Sequence, residues 1–156
     1  MRAQAKSRRE RSLKGHLQRP NLSDAYGYFW RSEVKGKKEI AISFLRLASS
    51  GRVNEAYEKY IHPDFRHHNP YFKGDRESLL KGMEESAHQF PHKKFEAIRA
   101  LVDGDLVAVH GKVQLKPDMP WIALIHIFRF EDDLIIEEWE AAQEAPKESP
   151  NENGIF

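Results

Sequence analysis

The stretch from Trp121 to Gln143 constrains this chain most. It reads W-I-A-L-I-H-I-F-R-F, then E-D-D, then L-I-I-E-E-W-E-A-A-Q. Two apolar runs, rich in β-branched and aromatic residues, flank a short acidic turn. That is the pattern of a β-hairpin at the centre of a sheet. Three groups interrupt it: His126, Glu138 and Glu140. Burying such groups unpaired costs on the order of 2–7 kcal/mol for a neutral polar group, and more for a charge. Either they face solvent or they line a pocket.

The length of 156 residues suggests one domain. With 40% hydrophobic residues, a core is within reach. The chain has no Cys, which removes disulfides, thiolate catalysis and Cys-type zinc sites, and fits a cytoplasmic setting. No apolar run approaches the ~20 residues of a membrane span, so no membrane partner is expected. Met1 to Glu33 holds eight Lys/Arg against three Asp/Glu, while the remainder holds 17 against 21. An acidic main part argues against a nucleic-acid partner, which calls for a basic face.

Residues 1–36 form a basic extension in which no helical or strand period persists. Three readings compete: a disordered arm, a transit-like peptide, or upstream residues foreign to the native protein. The third is preferred, with translation starting near Val34, because ordered patterning begins abruptly just after it. An intact mass from the native host that includes Met1 to Glu33 would exclude that reading.

Lys38 to Ser50 reads as a helix, with Ile40, Phe44, Leu47 and Ala48 on one stripe and Gly51 as its stop. Val53, Ala56, Tyr57, Tyr60 and Ile61 mark a second helix, limited by Pro63. His62 to Gly74 is polar and loop-like. Asp75 caps a third helix with Leu79, Leu80, Met83, Ala87 and Phe90 on its buried side. After Pro91 the period changes to 2. Lys94 to Val102 and Asp105 to Leu115 read as strands around an Asp103-Gly104 hairpin turn. The two strands of the opening stretch follow. Helices followed by antiparallel strands imply an α+β fold, with the domain over residues 37–144 and a tail over 145–156.

Parity along the last hairpin is informative. Pairing Phe130 with Leu134 puts His126 opposite Glu138, with cross-strand neighbours ~4.5–5.5 Å apart. His126, Glu138 and Glu140 then share one face, with Trp139 on the other. An imidazole beside two carboxylates is a workable acid–base group. The alternative is two glutamates facing solvent and a satisfied core histidine. His67-His68-Asn69-Pro70 is a second cluster, in which the two rings point in opposite directions; the alternative is a surface turn. His110 is a third feature, a histidine in mid-strand. A metal set of His68, His110, His126 and Glu138 is chemically possible, but its spacing matches no compact ligand motif. No Gly-rich phosphate loop or Walker pattern appears either, so neither a metal nor an organic cofactor is expected.

From Lys37 onward the chain resembles the SnoaL-like polyketide cyclase family of the nuclear transport factor two-like superfamily. The resemblance rests on H-N-P-Y-F-K-G at His68 to Gly74, G-D-L-V-A-V-H at Gly104 to His110, I-F-R-F-E-D at Ile127 to Asp132 and E-E-W-E-A-A-Q at Glu137 to Gln143. It implies a cone-shaped α+β barrel, with three N-terminal helices packed on a curved antiparallel sheet around a deep pocket. It also implies a homodimer through the outer sheet face. The implied chemistry is cofactor-free proton transfer next to a carbonyl, of aldol-cyclisation or isomerisation kind. Glu140, Glu138, His126 and His110 become the catalytic candidates. His68, Asn69, Trp121 and Gln143 become the contacts for a small-molecule ligand. The family usually carries Asp at His126, His at Glu138 and Asp at Glu140, so its acid and base are exchanged in place here. Asp133 stands where the family has a turn Gly. The competing reading is a non-catalytic ligand-binding or dimerisation domain, and a third is a metal-dependent hydrolase or oxygenase.

Overall fold

The structure, a computed structural model, describes residues 36–156. The expected extension over residues 1–36 lies, apart from Gly36, outside the described residues. The elements are α1 (Lys37–Ser49), α2 (Val53–Tyr60), β1 (Ile61–His67), α3 (Arg76–Gln89), β2 (Lys94–Asp103), β3 (Leu106–Gln114), β4 (Ile122–Glu131) and β5 (Leu134–Glu144). Residues 145–156 add no helix or strand.

Each helix follows from its apolar spacing. In α1, Ile40, Ala41, Phe44, Leu45 and Ala48 are buried, one stripe at helical period. Gly51, at φ 85°, supplies the left-handed position that turns the chain after it. In α2 the buried side is Val53, Ala56 and Tyr57. Asp75 caps α3 by accepting from the Ser78 N–H at 2.8 Å. Of the apolar residues expected on the buried side of α3, only Leu79 is fully buried; Leu80, Met83 and Ala87 are partly so. Part of that face opens on a cavity instead of packed side chains.

The stretch expected to be a loop contains a strand. α2 stops at Tyr60, and β1 follows at once, parallel to β5 through Ile61–Ile135, Arg66–Glu137 and His67–Glu138. Pro63 lies inside β1 and does not limit the helix. It is tolerated because β1 is an edge strand, where a missing N–H need not break a ladder bond. The sheet therefore has five strands, in the order β1-β5-β4-β3-β2, and is mixed, not wholly antiparallel. Among the described residues β1 and β2 are its two edges, and the curled sheet forms the expected cone-shaped α+β architecture without closing on itself.

The turns also differ in detail. Asp103 pairs with Leu106, so Gly104 and Asp105 are the central residues, with Gly104 at φ 60°. At the next hairpin Glu131 pairs with Leu134, and Asp132, not Asp133, takes the left-handed position at φ 51°. Beyond that turn β5 carries a bulge: Phe130 pairs with Ile135 but Arg129 with Glu137, leaving Ile136 extra. The two-residue turn and the bulge together move the register by two. His126 thus lies opposite Glu140, and Phe128 opposite Glu138.

The helices cover one face of the sheet, and the core lies between. Phe44 meets Phe128 edge-on at 5.8 Å, and Tyr57 meets Phe65 at 6.2 Å. Val107, Val109, Phe130 and Ile135 fill the sheet side of the same cluster. Among the described residues no helix is long and apolar enough to cross a membrane.

Candidate active site

His126 on β4 and Glu138 and Glu140 on β5 point to the helix-covered face. Nε2 of His126 lies 3.4 Å from Glu140 Oε2 and 3.8 Å from Glu138 Oε1. The imidazole stacks on Phe128 at 5.8 Å, which fixes its plane. Glu138 is 4% exposed and His126 6%. Both keep a buried atom without a partner among the described residues, Oε2 of Glu138 and Nδ1 of His126.

The segment between β1 and α3 supplies the fourth polar group. It is closed by the His67 N–H donating to Gly74 O at 3.1 Å and by a bridge between Arg66 and Asp75. Within it, Asn69 Oδ1 accepts from the Tyr71 N–H at 2.9 Å, a turn that suits Asn before Pro. The Asn69 amide then donates to Glu140 Oε1. Asn69 is thereby engaged at both ends, which makes it a support for Glu140.

These groups stand in the wall of a cavity of about 320 Å³. Leu45 and Ala48 of α1, Leu79 and Met83 of α3, and Phe95, Val113 and Leu124 of the sheet supply apolar lining. Phe72 enters from the loop and lies directly against Gly82, where a Cβ would meet its ring at 2.3 Å. Glycine at this point of α3 therefore lets the loop close on the cavity. Ser49, Ser86 and Lys93 complete the polar lining, and Lys93 Nζ donates to Ser86 Oγ at 3.1 Å.

The electrostatics separate the two glutamates. Burial pushes the Glu138 carboxyl up to about 7, and the Glu140 charge adds to the rise while His126 opposes it. Glu140 moves down, chiefly through its hydrogen bond with His126 and further through Asn69, against its own desolvation. The Tyr57 phenol is raised by burial and then by the Glu138 charge, and its hydroxyl has no partner. Burial pulls His67 and Lys93 below their ordinary values.

Of the residues singled out from sequence, His126, Glu138, Glu140 and Asn69 are brought together at the cavity. The other four lie elsewhere. His68 stacks on Trp139 at 4.9 Å and bonds Glu137 at 3.0 Å, on the opposite face of the sheet. His110 pairs with Ile125 on that same outer face, since its neighbours Val109 and Gly111 turn inward. The Trp121 ring lies 4.5 Å from Lys112 Nζ, also outside. Gln143 pairs with Ala123 and is exposed. His67, not His68, turns inward, stacking on Phe65, with Nδ1 accepting from the Asn69 N–H at 3.2 Å. Sequence reading named His67 only as half of a histidine pair, placed Tyr57 on a helix stripe, and passed over Lys93. Strand parity in β1 would have found His67, but Lys93 sits in H-K-K-F and reads as surface.

The metal set considered from sequence is not assembled, because His68 and His110 are outside. The ligand atoms that do converge belong to His126, Glu138 and Glu140, within 4.8 Å of one another. Metal-bound imidazoles nearly always donate their second N–H. Among the described residues Nδ1 of His126 has no such acceptor, and the trio as placed can exchange protons.

Glu137, one residue away, forms a separate structure on the outer face. It accepts from Arg66 Nε at 2.6 Å and Arg129 Nε at 2.8 Å, and its carboxyl is pulled down to about 2. It ties the edge strand β1 to β5 and β4.

Comparison with solved structures gives the same architecture. A candidate hydroxylase, AclR from Streptomyces galilaeus, superposes with a TM-score of 0.59 at 18% identity, covering 69% of this chain and 88% of its own. A candidate polyketide cyclase from Acidithiobacillus ferrooxidans gives 0.58 at 21% identity, covering 70% and 89%. An NTF2-like protein of unknown function from Cytophaga hutchinsonii gives 0.56 at 14% identity, covering 69% and 90%. At such identities the likeness is one of fold. No curated protein matches the chain. The SnoaL-like domain model matches residues 41–138, a span that runs from α1 to Glu138 in the cavity wall. The chain belongs to the SnoaL-like domain family.

Proposed function

We propose that this chain is a cofactor-free acid–base enzyme that moves a proton at carbon next to a carbonyl, in an aldol-type cyclisation or an isomerisation. The supporting observation is Glu138, a buried carboxyl in a cavity wall with one oxygen unpartnered and a pKa near 7. A general base works best when its pKa lies near the working pH. In this reading Glu138 takes the α-proton, the C–H electrons pass to the enolate oxygen, and the same carboxyl returns the proton at the next step. Nε2 of His126, which Glu140 holds, turns to donate toward that oxygen as its charge forms. Glu140 and Asn69 hold the imidazole. His110 is left out of this reading, because it lies across the sheet.

The ligand-binding alternative is disfavoured by the same convergence: a passive apolar pocket has no use for a buried carboxyl with a free oxygen. The test is deuterium exchange at the α-carbon of small aryl ketones, followed by proton NMR. Glu138→Gln is expected to slow exchange by about 10²–10⁴-fold. Full exchange in both Glu138→Gln and Glu140→Gln would rule the assignment out.

We also propose that two copies pair through the outer sheet face. Ile125 and Ile127 are 41% and 37% exposed there, beside Trp139. A cytoplasmic setting belongs to the same reading, on the cysteine-free composition alone.

A further inference from the structure

Among the described residues, Lys93 is the one lysine or arginine lining the cavity. Its ammonium reaches from the start of β2 to the inner side of α3, where Ser86 follows Leu79, Gly82 and Met83 at helical spacing. Its partner is a neutral hydroxyl, Ser86 Oγ at 3.1 Å. Other half-buried cations in the fold have carboxylates: Arg129 has Glu137 at 2.8 Å, and Lys112 has Glu96 at 3.1 Å. Among the described residues no carboxylate pairs with Lys93 in this way. An ammonium withdrawn from water without a counter-ion is destabilised, and an anion entering the cavity relieves that cost.

The amine and the acid–base trio occupy different ends. Phe95, two residues after Lys93, pairs with Val113 of β3. His126 pairs with Val109 of the same strand. Four residues of strand span about 13 Å. Between the two ends the lining includes Phe95, Leu124 and Met83, an apolar middle.

We propose that Lys93, with Ser86, anchors a carboxylate at the end of the cavity away from Glu138, so that the ligand is a small aryl carbonyl compound bearing an acid group. The aryl part fills the apolar middle and the carbonyl faces Glu138. This deepens the proton-transfer reading and rests on it only for the carbonyl. Burial lowers the Lys93 pKa in the empty cavity, and a bound carboxylate raises it again.

The probe is 5-oxo-5-phenylpentanoate, compared with its neutral amide of nearly the same shape. Binding of each is measured by calorimetry on the full chain. Wild type is expected to prefer the acid by about tenfold or more, the worth of a hydrogen bond to a charged group. Lys93→Met abolishes that preference while still binding the amide, which also shows that the variant is folded. Ser86→Ala weakens acid binding less than Lys93→Met does. Glu138→Gln keeps the preference and loses α-carbon exchange, so the two readings fail separately. Equal binding of acid and amide by wild type, or an unchanged preference in Lys93→Met, overturns the anchor. So does a borohydride-trapped adduct on Lys93, which would make the amine a nucleophile.

Discussion

Glu138 and Glu140 stand two residues apart on one face of β5, and their carboxyls shift in opposite directions. Glu138 is raised to about 7 by burial, whereas Glu140 is lowered by His126 and Asn69. At neutral pH one is a fixed charge and the other is poised between two protonation states. Such a division gives two like groups different roles.

The first expectation concerns stability against pH. Glu138 binds its proton more tightly in the folded chain than in the unfolded one. Its contribution is complete below the ordinary carboxylate value of 4.5 and is lost as pH rises through about 7. Glu138→Gln removes that loss. The variant is expected to be more stable than wild type at pH 8, by up to about 3 kcal/mol, with a smaller difference at pH 4. Urea denaturation at the two pH values measures it. A difference that does not change with pH contradicts the raised carboxyl.

Asn69→Ala tests the support of Glu140. Removing the amide takes away one of the groups that hold the carboxylate ionised. The Glu140 titration, followed by carbon-13 NMR of the side-chain carboxyl, is expected to move up. α-Carbon exchange is expected to fall by about tenfold, because a carboxylate left to rotate no longer fixes the imidazole. An unmoved titration would show that the contact carries little weight.

Glu137→Gln is expected to destabilise the fold without touching the cavity. The carboxylate joins Arg66 on β1 and Arg129 on β4. Both arginines reach solvent, so the loss is set at about 1–3 kcal/mol. Because the Glu137 carboxyl is lowered to about 2, its contribution is present above 4.5 and fades as pH falls toward 2. Thermal unfolding at pH 7 and pH 3 should therefore show a larger difference at pH 7. Ligand binding should be unchanged.

Ile127→Glu tests the proposed pairing of two copies. A charge placed among Ile125, Leu101 and Trp139 on the outer face opposes burial against a second copy. Sedimentation is expected to give a dimer for wild type and a monomer for the variant. A monomeric wild type would refute the pairing.

Much of the fold was legible because its periods are strong. The stripe of α1, the Asp75 cap and the apolar runs of β3 to β5 each declare themselves. β1 did not, because H-P-D-F-R-H holds a proline and four polar residues. An edge strand needs only one inward side, and Ile61, Phe65 and His67 supply it. The common facing of His126, Glu138 and Glu140 was reached with a register that was off by two. The assumed turn was one residue too long, and the bulge at Ile136 was not visible. Two single steps leave parity unchanged, so the face agreed while the pairing did not. Lys93 was illegible for another reason: its burial depends on α3 lying over it, which no local pattern records.

The bulge has one more consequence. Strand alternation gives two adjacent glutamates opposite addresses, and the bulge settles which is which, Glu137 outward to the arginines and Glu138 inward to the cavity. A β5 lacking Ile136 would keep every partner across β4, and so every facing. A β5 of the same length drawn straight from Ile135 would turn Glu137 into the cavity and Glu138 out of it. Which acid serves the cavity is thus decided by where the strand kinks as much as by which residues it carries. Removing that kink at constant length would exchange the carboxyl at the cavity for the one between the arginines without replacing a single charged side chain.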